Sequence, residues 1–454
     1  MSPATQALLE FLRSWWVELL SGVVIVAIVP LVAGYVVLVE RKVMADMQAR
    51  LGPMRVGPHG LLQPIADALK LLIKEDIIPD NADKLIFWLA PVISMTAALT
   101  SMGAIAFGPS FQVARDSNVG LLFIIGISSL GLFGIVLGGW ASNSHYSIMG
   151  AIRSMAQLVS YETAAGLALI SGLLLAGTLR IHGIVEAQEQ YGVWFIFLAP
   201  IAFFIYVVAS IAEINRAPFD LPEADSELVA GYMTEYSGFR WSLYFLGEYA
   251  NMIVVASVAT TLFLGGWLRP FASVRWLSWL DVLPALVTQA VGVYCLIRAG
   301  KQPVAVQTKF MWAVALACFA LAAILAAPLV GPFRWRFLMR GLHGAFWFLL
   351  KVGAYIYLFM WLRFTLPRYR FDQLMGLGWY ILIPLGIINI FGVGIAMILE
   401  SEYGWNRWLA LVVTTLVTLG AAFFLLHLNE KRKAAASSAI AVAKEAVAGD
   451  IYAG

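Results

Sequence analysis

The sequence predicts an all-α membrane protein, a polytopic bundle of about eleven transmembrane helices with one amphipathic helix beside it. Hydrophobic residues make up 61% of the 454 residues and charged residues only 13%, whereas soluble domains carry roughly 25% charged residues. Apolar runs of about 20 residues, long enough to cross a bilayer, recur along the chain. The alternation typical of membrane β-strands is missing, which favours helices.

The predicted spans follow one another with short connections over most of the chain. They lie near 19–39, 84–107, 119–140, 157–179, 193–213, 240–265, 279–298, 309–330, 343–363, 379–399 and 408–428. Basic residues favour the cytoplasmic side of a membrane. Placing the 40–83 segment there collects about twenty of the 30 Lys and Arg residues on that side. This orientation predicts a periplasmic N-terminus and a cytoplasmic C-terminus.

The first span ends in Glu40-Arg41-Lys42 and leads into a loop with two Gly-Pro turns. The basic pair could simply anchor the helix at the interface, but an acid such as Glu40 does not help such an anchor. The following segment, 61–79, has apolar residues at helical spacing but too many charges to cross a bilayer. We expect it to form an amphipathic helix along the interface.

Two predicted spans contain acids inside apolar runs, Glu162 in the fourth and Glu248 in the sixth. A buried acid pairs with a cation, binds a proton or contacts water. Because Lys351 is the main cation within the predicted spans, we interpret both acids as protonatable sites.

The segment from Glu213 to Tyr236 concentrates acidic residues between two spans. An ordinary solvated loop is the simpler interpretation. However, Pro218 and Pro222 restrict the backbone, and Phe219 interrupts the polar residues. Glu213 also lies just inside an apolar run, where an ionised carboxylate is costly. The segment is therefore predicted to form a packed polar site at the membrane face.

The last third of the chain has one further polar motif. The stretch 272–342 contains two predicted spans without an evident chemical motif, and the ninth span is followed by LRFTLPRYRFDQL at 362–374. Anchoring by basic residues explains its arginines but neither Asp372 nor Pro367. Residues 1–433 are predicted to form a single membrane domain, and 434–454 an Ala-rich cytoplasmic tail.

Several classes of site are not indicated. Cys295 and Cys318 lie far apart in apolar runs, so the spacing of iron–sulfur, haem-thiolate or zinc ligands is not found. Any electrons must therefore come from a partner. No basic tract with interleaved aromatic residues suggests binding to nucleic acid. The N-terminus lacks the pattern of a removable signal peptide.

The longest motifs resemble one family, the H subunit of bacterial NADH:quinone oxidoreductase (respiratory complex I). They are ERKVMADMQARLGPMRVGPHGLLQPIADALKLLIKE at 40–75, LGGWASNSHYSIMGAIRSMAQLVSYE at 137–162, AEINRAPFDLPEADSELVAGYMTEYSG at 212–238, FLGEY at 245–249 and LRFTLPRYRFDQLMGLGW at 362–379. The resemblance covers most of 19–266 and 343–399. It makes 272–342 a two-span insertion and 408–428 an additional C-terminal span.

The resemblance implies a role for three groups of residues. The residues expected to line or support a quinone chamber are Arg41, Gln48, Arg50, Asp67, Arg216, Ala217, Pro218 and Phe219. The residues expected to form an acidic proton relay are Glu40, Glu162, Glu213, Glu223, Asp225, Glu227 and Glu248. The residues expected to balance their charge are Arg363, Arg368, Arg370 and Asp372. Asp225 stands where the family usually has Glu, which shortens its reach.

The resemblance also implies the setting of the protein. Quinone is the expected substrate, no cofactor or metal is expected on this chain, and iron–sulfur clusters and FMN are expected in partner subunits. Peripheral iron–sulfur subunits, small membrane subunits, antiporter-like subunits and membrane lipid are the expected partners, in a bacterial inner membrane. The alternatives are the anchor subunit of a membrane-bound hydrogenase and a secondary transporter. The latter is disfavoured because no internal repeat is found.

Overall fold

The computed structural model describes residues 3–109, 117–220, 229–271, 274–300, 305–330, 336–406, 408–424, 427 and 431. The helices, in chain order, are α1 (Pro3–Met47), α2 (Gln63–Ile73), α3 (Lys84–Gly103), α4 (Gly120–Ala141), α5 (His145–Ala176), α6 (Ile181–Tyr191), α7 (Phe195–Leu198), α8 (Pro200–Glu213), α9 (Gly238–Phe263), α10 (Leu283–Ala299), α11 (Ala305–Val330), α12 (Arg336–Thr365), α13 (Phe371–Leu377), α14 (Ile383–Ser401) and α15 (Trp408–Phe424). Short 3₁₀ segments lie at Pro58–Gly60, Gly231–Met233 and Arg275–Val282, and a π-helical turn at Gly378–Leu382 joins α13 to α14.

The predicted all-helical bundle is confirmed. Within the described ranges, 9 helical segments are long and apolar enough to cross a membrane, and α8 and α15 are shorter apolar helices. These helices lie at the positions of the predicted spans. The total of eleven crossings stays a prediction.

Two predicted helix boundaries were wrong, and each has a local cause. The predicted span 193–213 is divided into α7 and α8 at Ala199 and Pro200, because proline cannot donate the helical hydrogen bond and its ring clashes with the preceding turn. The predicted span at 157–179 belongs to α5, which begins at His145. Polar residues such as Arg153 lower the hydropathy of its first turns without interrupting the helix.

The predicted amphipathic segment forms α2, and none of its residues is buried. Leu69, Leu72 and Ile73 are all exposed. A helix with an uncovered apolar face of this kind suits the surface of a bilayer.

Helix α9 lies at the centre of the bundle. It contains the largest buried share of any of the long apolar helices that the structure describes, and it packs against α1, α3 and α12. Nearby, α3 and α4 approach at backbone distance, since a Cβ atom at Gly134 would lie 2.7 Å from the carbonyl oxygen of Ala90. The buried polar groups of α9 are therefore enclosed on several sides by other helices.

The region predicted to be an insertion forms a helical hairpin of α10 and α11. The two helices pack mainly against each other, with fewer contacts to α12 and from α11 to the Pro58–Gly60 turn. Cys295 and Cys318 are free thiols in this hairpin. The hairpin therefore lies at the side of the bundle, next to the loop that follows α1.

Candidate functional site

The last two turns of α1 contact α2 and the loop between the two helices. Arg41 of α1 donates to Asp67 of α2 at 2.7 Å, and Gln63 donates to the other oxygen of Asp67 at 3.0 Å. Lys42 donates to the backbone carbonyl of His59 at 2.6 Å. Of the residues predicted to line a chamber, Arg41 and Asp67 are thus direct partners.

Gln48 and Arg50 lie in the turn just beyond α1. Both are exposed, and Arg50 Nε donates to Gln48 Oε1 at 2.7 Å. Because an exposed contact of this kind is screened by water, it contributes little to stability. The side chains of these two residues, which were predicted to line the chamber, are therefore accessible for binding.

The turn that carries Arg216 to Phe219 is held by a buried glutamine. Gln157 of α5 donates to the backbone carbonyls of Ala212 and Phe219, both at 2.8 Å, and to the side chain of Asn215 at 3.2 Å. The Ala217–Pro218 peptide bond within this turn is cis. Gln157 thereby fixes the end of α8 and the following turn to α5.

Phe219 connects this turn to the LPRYR segment. Its ring lies between Tyr161, at a centroid distance of 5.8 Å, and Tyr369, which stacks on it at 5.6 Å. The backbone N–H of Tyr369 donates to the carbonyl of Pro218 at 3.2 Å. The two motifs, about 150 residues apart in the sequence, are therefore packed together.

The three predicted charge-balancing residues of this segment point outward. Arg368, Arg370 and Asp372 are exposed, and no ion pair to another described residue is formed by any of them. Their predicted counterparts Glu223, Asp225 and Glu227 lie outside the described residues. The roles of these six residues stay predictions.

The turn places a buried cation against α9. Arg216 is 6% exposed, and its Nη2 atom lies 3.3 Å from Glu248 Oε2. The Tyr232 hydroxyl donates to Glu248 Oε1 at 3.1 Å. Glu248, interpreted as a protonatable site because the predicted spans contain few cations, thus has a cationic partner. Sequence reasoning missed this partner because Arg216 comes from a loop and not from a transmembrane helix; whether Glu248 exchanges a proton stays a prediction. Ion pairing offsets much of the cost of burying both charges.

Lys351, the cation predicted within the spans, contacts no acid among the described residues. Its Nζ atom donates to the backbone carbonyls of Leu264 at 2.6 Å, Gly266 at 2.9 Å and Leu268 at 2.5 Å. It also lies 4.3 Å from the ring centroid of Trp194. Lys351 therefore satisfies carbonyl groups at the end of α9, far along the helix from Glu248.

A second buried ion pair connects α1 to α12. Glu40 is 3% exposed and accepts a hydrogen bond from Arg363 Nη1. Arg363, a predicted charge-balancing residue, thus pairs with a relay acid that the structure describes. A charge buried to this degree persists only when it is paired or hydrogen-bonded.

A cavity between α3, α4, α5, α8 and α9 brings together three of the predicted relay acids. It has a volume of about 60 Å³, and its lining includes Glu162, Glu213 and Glu248. A cavity of this size holds a few water molecules when its lining is polar. The additional polar residues of its wall are Ser94, Ser128, Ser129, Asn215, Tyr232 and Asn251. Ser129 donates to the Glu162 carboxylate.

A second cavity, of about 30 Å³, continues from the first. Both are lined by Ser128, Glu162 and Glu213, and the second extends to Tyr206 on α8. The three acids, which come from α5, α8 and α9, therefore line the first cavity together, and Glu162 and Glu213 also line the second.

Sequence reasoning missed several residues of this site. Ser128 and Ser129 could have been noticed as a polar pair within the apolar run at 119–140, and Gln157 as an amide within α5. Tyr232 and Tyr249 carried no such signal, because tyrosine is common at packed interfaces and at membrane surfaces.

Comparison with known proteins identifies the relatives of this chain. The family model described as NADH dehydrogenase matches residues 20–394. The chain is 54% identical over 383 residues to the NADH-quinone oxidoreductase H subunit 2 of Solibacter usitatus, covering 83% of this chain and 95% of the relative. Over 372 residues it is 53% identical to the H subunit 1 of Koribacter versatilis, covering 78% and 86% of the two chains. It is 44% identical over 365 residues to the H subunit of Rickettsia canadensis, covering 80% and 88%.

Proposed function

Because this chain belongs to the NADH dehydrogenase family and is a membrane subunit of NADH-quinone oxidoreductase, we propose that it forms the quinone chamber and the first part of the proton relay of that complex. The observation that supports this most strongly is the cavity shared by Glu162, Glu213 and Glu248. It lies directly beside the turn that carries Arg216.

The chamber is assigned to the loop after α1, to α2 and to the Arg216–Phe219 turn. The contact between Arg41 and Asp67 supports this assignment because it fixes one wall, at 2.7 Å. The exposed side chains of Gln48 and Arg50 extend from the same loop. Iron–sulfur subunits complete the chamber and deliver electrons that originate at FMN, so the chemistry of electron transfer belongs to those partners.

The relay is assigned to the cavity acids. Reduction of a quinone to a quinol takes up two protons, which changes the charge beside the chamber. Neighbouring carboxylates in a low-dielectric interior do not all ionise independently, so a change at one alters proton binding at the others. The volume of the two cavities supports water contact between the acids. The change in proton binding at these acids is then transmitted to small membrane subunits and antiporter-like subunits.

The proposal includes a location. The protein is a multi-pass membrane protein, and we place it in a bacterial inner membrane with the loop after α1 and the Arg216–Phe219 turn on the cytoplasmic side. The basic residues of the 40–83 segment support that orientation, and the four predicted spans between this segment and the Arg216–Phe219 turn return the chain to the same side.

A photoreactive quinone analogue tests the chamber. The complex is purified from its native membrane in mild detergent, labelled, and analysed by mass spectrometry of its peptides and of its co-purifying subunits. We expect labelled peptides within 41–67 and 214–219, protected by excess quinone, together with iron–sulfur and antiporter-like subunits and inhibitor-sensitive quinone reduction.

Two outcomes would contradict the proposal. One is protected labelling confined to another part of the chain, for example α14. The other is co-purification with a nickel hydrogenase without quinone reduction, which would favour the role of a hydrogenase anchor.

A further inference from the structure

The start of α9 is hydrogen-bonded to the segment that follows α2. The Ser237 hydroxyl accepts from the backbone N–H of Ile77 at 2.9 Å and donates to the backbone carbonyl of Glu75 at 3.4 Å. The two hydrogen bonds connect residues that are 160 and 162 positions apart in the sequence. A single side chain therefore satisfies two backbone groups just beyond the end of α2.

Ser237 is the N-cap residue of α9. A serine at that position usually accepts a hydrogen bond from a backbone N–H of the first helical turn, but the Ser237 side chain forms no such bond. Its hydroxyl binds the segment after α2 instead. A group that could stabilise α9 by itself is thus used to connect two elements of the fold.

The next residues of α9 make two further contacts with the same segment. Gly238 has a φ of +54°, and a Cβ atom there would lie 3.1 Å from the carbonyl oxygen of Lys74, so the two backbones approach closely. Arg240 Nε lies 3.0 Å from Asp76 Oδ2, and the Arg240 side chain is 11% exposed. This contact is an ion pair and not an aligned hydrogen bond, since Arg240 Nε has no hydrogen-bond partner among the described residues. Water and salt screen a partly buried ion pair less than an exposed one.

Helix α2 is therefore held from both sides. Arg41 of α1 contacts Asp67 in its first half, and Ser237 contacts the segment after its end. No residue of α2 is buried, so these contacts determine its position more than core packing does. The helix that provides the second contact, α9, also carries Glu248, about three turns after Ser237.

We propose that Ser237 and the Asp76–Arg240 ion pair are positioning residues for quinone binding, which fix the end of α2 against the start of α9. The inference rests on the proposed function, in which α2 forms a wall of the quinone chamber. It assigns none of the three residues a contact with quinone.

The KM for quinone tests the positioning. Quinone reduction is measured in the whole complex with a short-chain soluble quinone, and the amount of intact complex is determined from NADH oxidation by ferricyanide, a hydrophilic electron acceptor. In Ser237→Ala we expect KM to rise at least about threefold while kcat changes less than about twofold, because a displaced wall weakens binding without removing a group that acts in the transition state. A role in folding alone would lower the amount of complex and leave KM unchanged.

Two variants serve as controls for Ser237→Ala. Ser237→Thr keeps the hydroxyl and should have a KM close to that of the native protein. Ser144→Ala removes a hydroxyl from the N-cap of α5, which likewise forms no side-chain cap hydrogen bond, and it should leave KM unchanged.

The ion pair is tested by Asp76→Asn, Arg240→Gln and the double variant. We expect each single substitution to raise KM, and the double variant to raise it no further than the larger single effect, because losing one partner already breaks the pair. Single effects that multiply in the double variant would show that the two residues act independently and would overturn the role of the ion pair.

Hydrogen exchange reports the attachment of α2 without a kinetic constant. Peptides that cover 74–80 are followed in the assembled complex. We expect them to exchange at least about tenfold faster in Ser237→Ala than in the native protein, because the protection of the Ile77 N–H depends on the Ser237 hydroxyl. Ser144→Ala should exchange like the native protein. Equal exchange in Ser237→Ala and the native protein would show that other contacts hold this segment and would overturn the inference.

The results distinguish this inference from the proposed function. Faster exchange with an unchanged KM overturns the inference and leaves the proposed chamber intact. Absence of quinone-protected labelling within 41–67 overturns the proposed function itself, whatever the KM of the Ser237 variants.

Discussion

At the scale of single residues, the site depends on buried charges that are paired across the chain. Arg216 is held by Glu248 and by the Tyr249 hydroxyl, and Glu40 by Arg363. Removing one partner of such a pair leaves a buried charge without compensation and typically costs about 3–5 kcal/mol. Substitutions here therefore affect both assembly and activity, and conservative variants give the clearest information.

Arg216→Lys tests whether the fork of the guanidinium is needed. Lysine keeps the positive charge but does not reach Glu248 and Tyr249 with two fixed donors. Because one charged hydrogen bond contributes about 1.5–3 kcal/mol, we expect quinone reductase activity to fall about tenfold or more while the complex still assembles. Arg298→Lys, in the α10–α11 hairpin, is the control. Equal activity of both variants would contradict this role of Arg216.

Gln157→Leu tests the anchoring of the turn. Leucine has a similar volume but donates to none of the acceptors on Ala212, Asn215 and Phe219, which lie within 3.2 Å of the amide. Buried acceptors without a donor cost about 1–3 kcal/mol each, so we expect a lower melting temperature and a lower yield of assembled complex. Gln157→Glu removes the same donors and should behave similarly. Unchanged melting of both variants would show that the turn is held by other contacts.

At the scale of helices, α9 organises the bundle and its end is fixed by Lys351. The three backbone carbonyls around Nζ belong to the turn just after α9, where helical carbonyls have no partner within the helix. A lysine near a helix C-terminus also interacts favourably with the helix dipole.

Lys351→Met should therefore destabilise the bundle more than an average substitution. Methionine fills a similar volume but leaves the carbonyls without a donor, and we expect a loss of about 3 kcal/mol or more in the free energy of unfolding. Thermal unfolding in detergent measures this loss. Lys309→Met, at an exposed lysine of α11, is the matched control, and an equal effect of the two substitutions would contradict the structural role of Lys351.

Hydropathy predicted the helices well because each long apolar run must hydrogen-bond its own backbone inside a bilayer. It did not locate the break at Pro200 or the start of α5 at His145, because those boundaries depend on a proline and on polar turns that remain helical. The arrangement of the site residues was also only partly predictable from the sequence. The grouping of Glu162, Glu213 and Glu248 needs the packing of α5, α8 and α9, and the pairing of Arg216 needs the path of a loop.

At the scale of the whole molecule, the distribution of basic residues predicts which ends of the helices lie on the cytoplasmic side of the membrane. This prediction can be tested without an assay of quinone reduction.

Single cysteines report the orientation. After Cys295 and Cys318 are replaced by alanine, one cysteine is introduced at Leu51, which is 83% exposed, or at Gln190, an exposed residue at the end of α6. We expect a membrane-impermeant thiol reagent added to intact cells to label the variant at Gln190 and to label the variant at Leu51 only after the cells are opened. The reverse pattern would contradict the proposed orientation.

The central claim is that the cavity acids couple quinone reduction to proton movement. It is tested most directly by reconstituting the whole complex in liposomes and measuring quinone reduction and proton uptake together for Glu213→Gln. Glu189→Gln, at an exposed acid of α6, is the control and should match the native protein. We predict that quinone reduction and proton uptake both fall in Glu213→Gln although the complex is assembled. Full quinone reduction with normal proton uptake in that variant would contradict it.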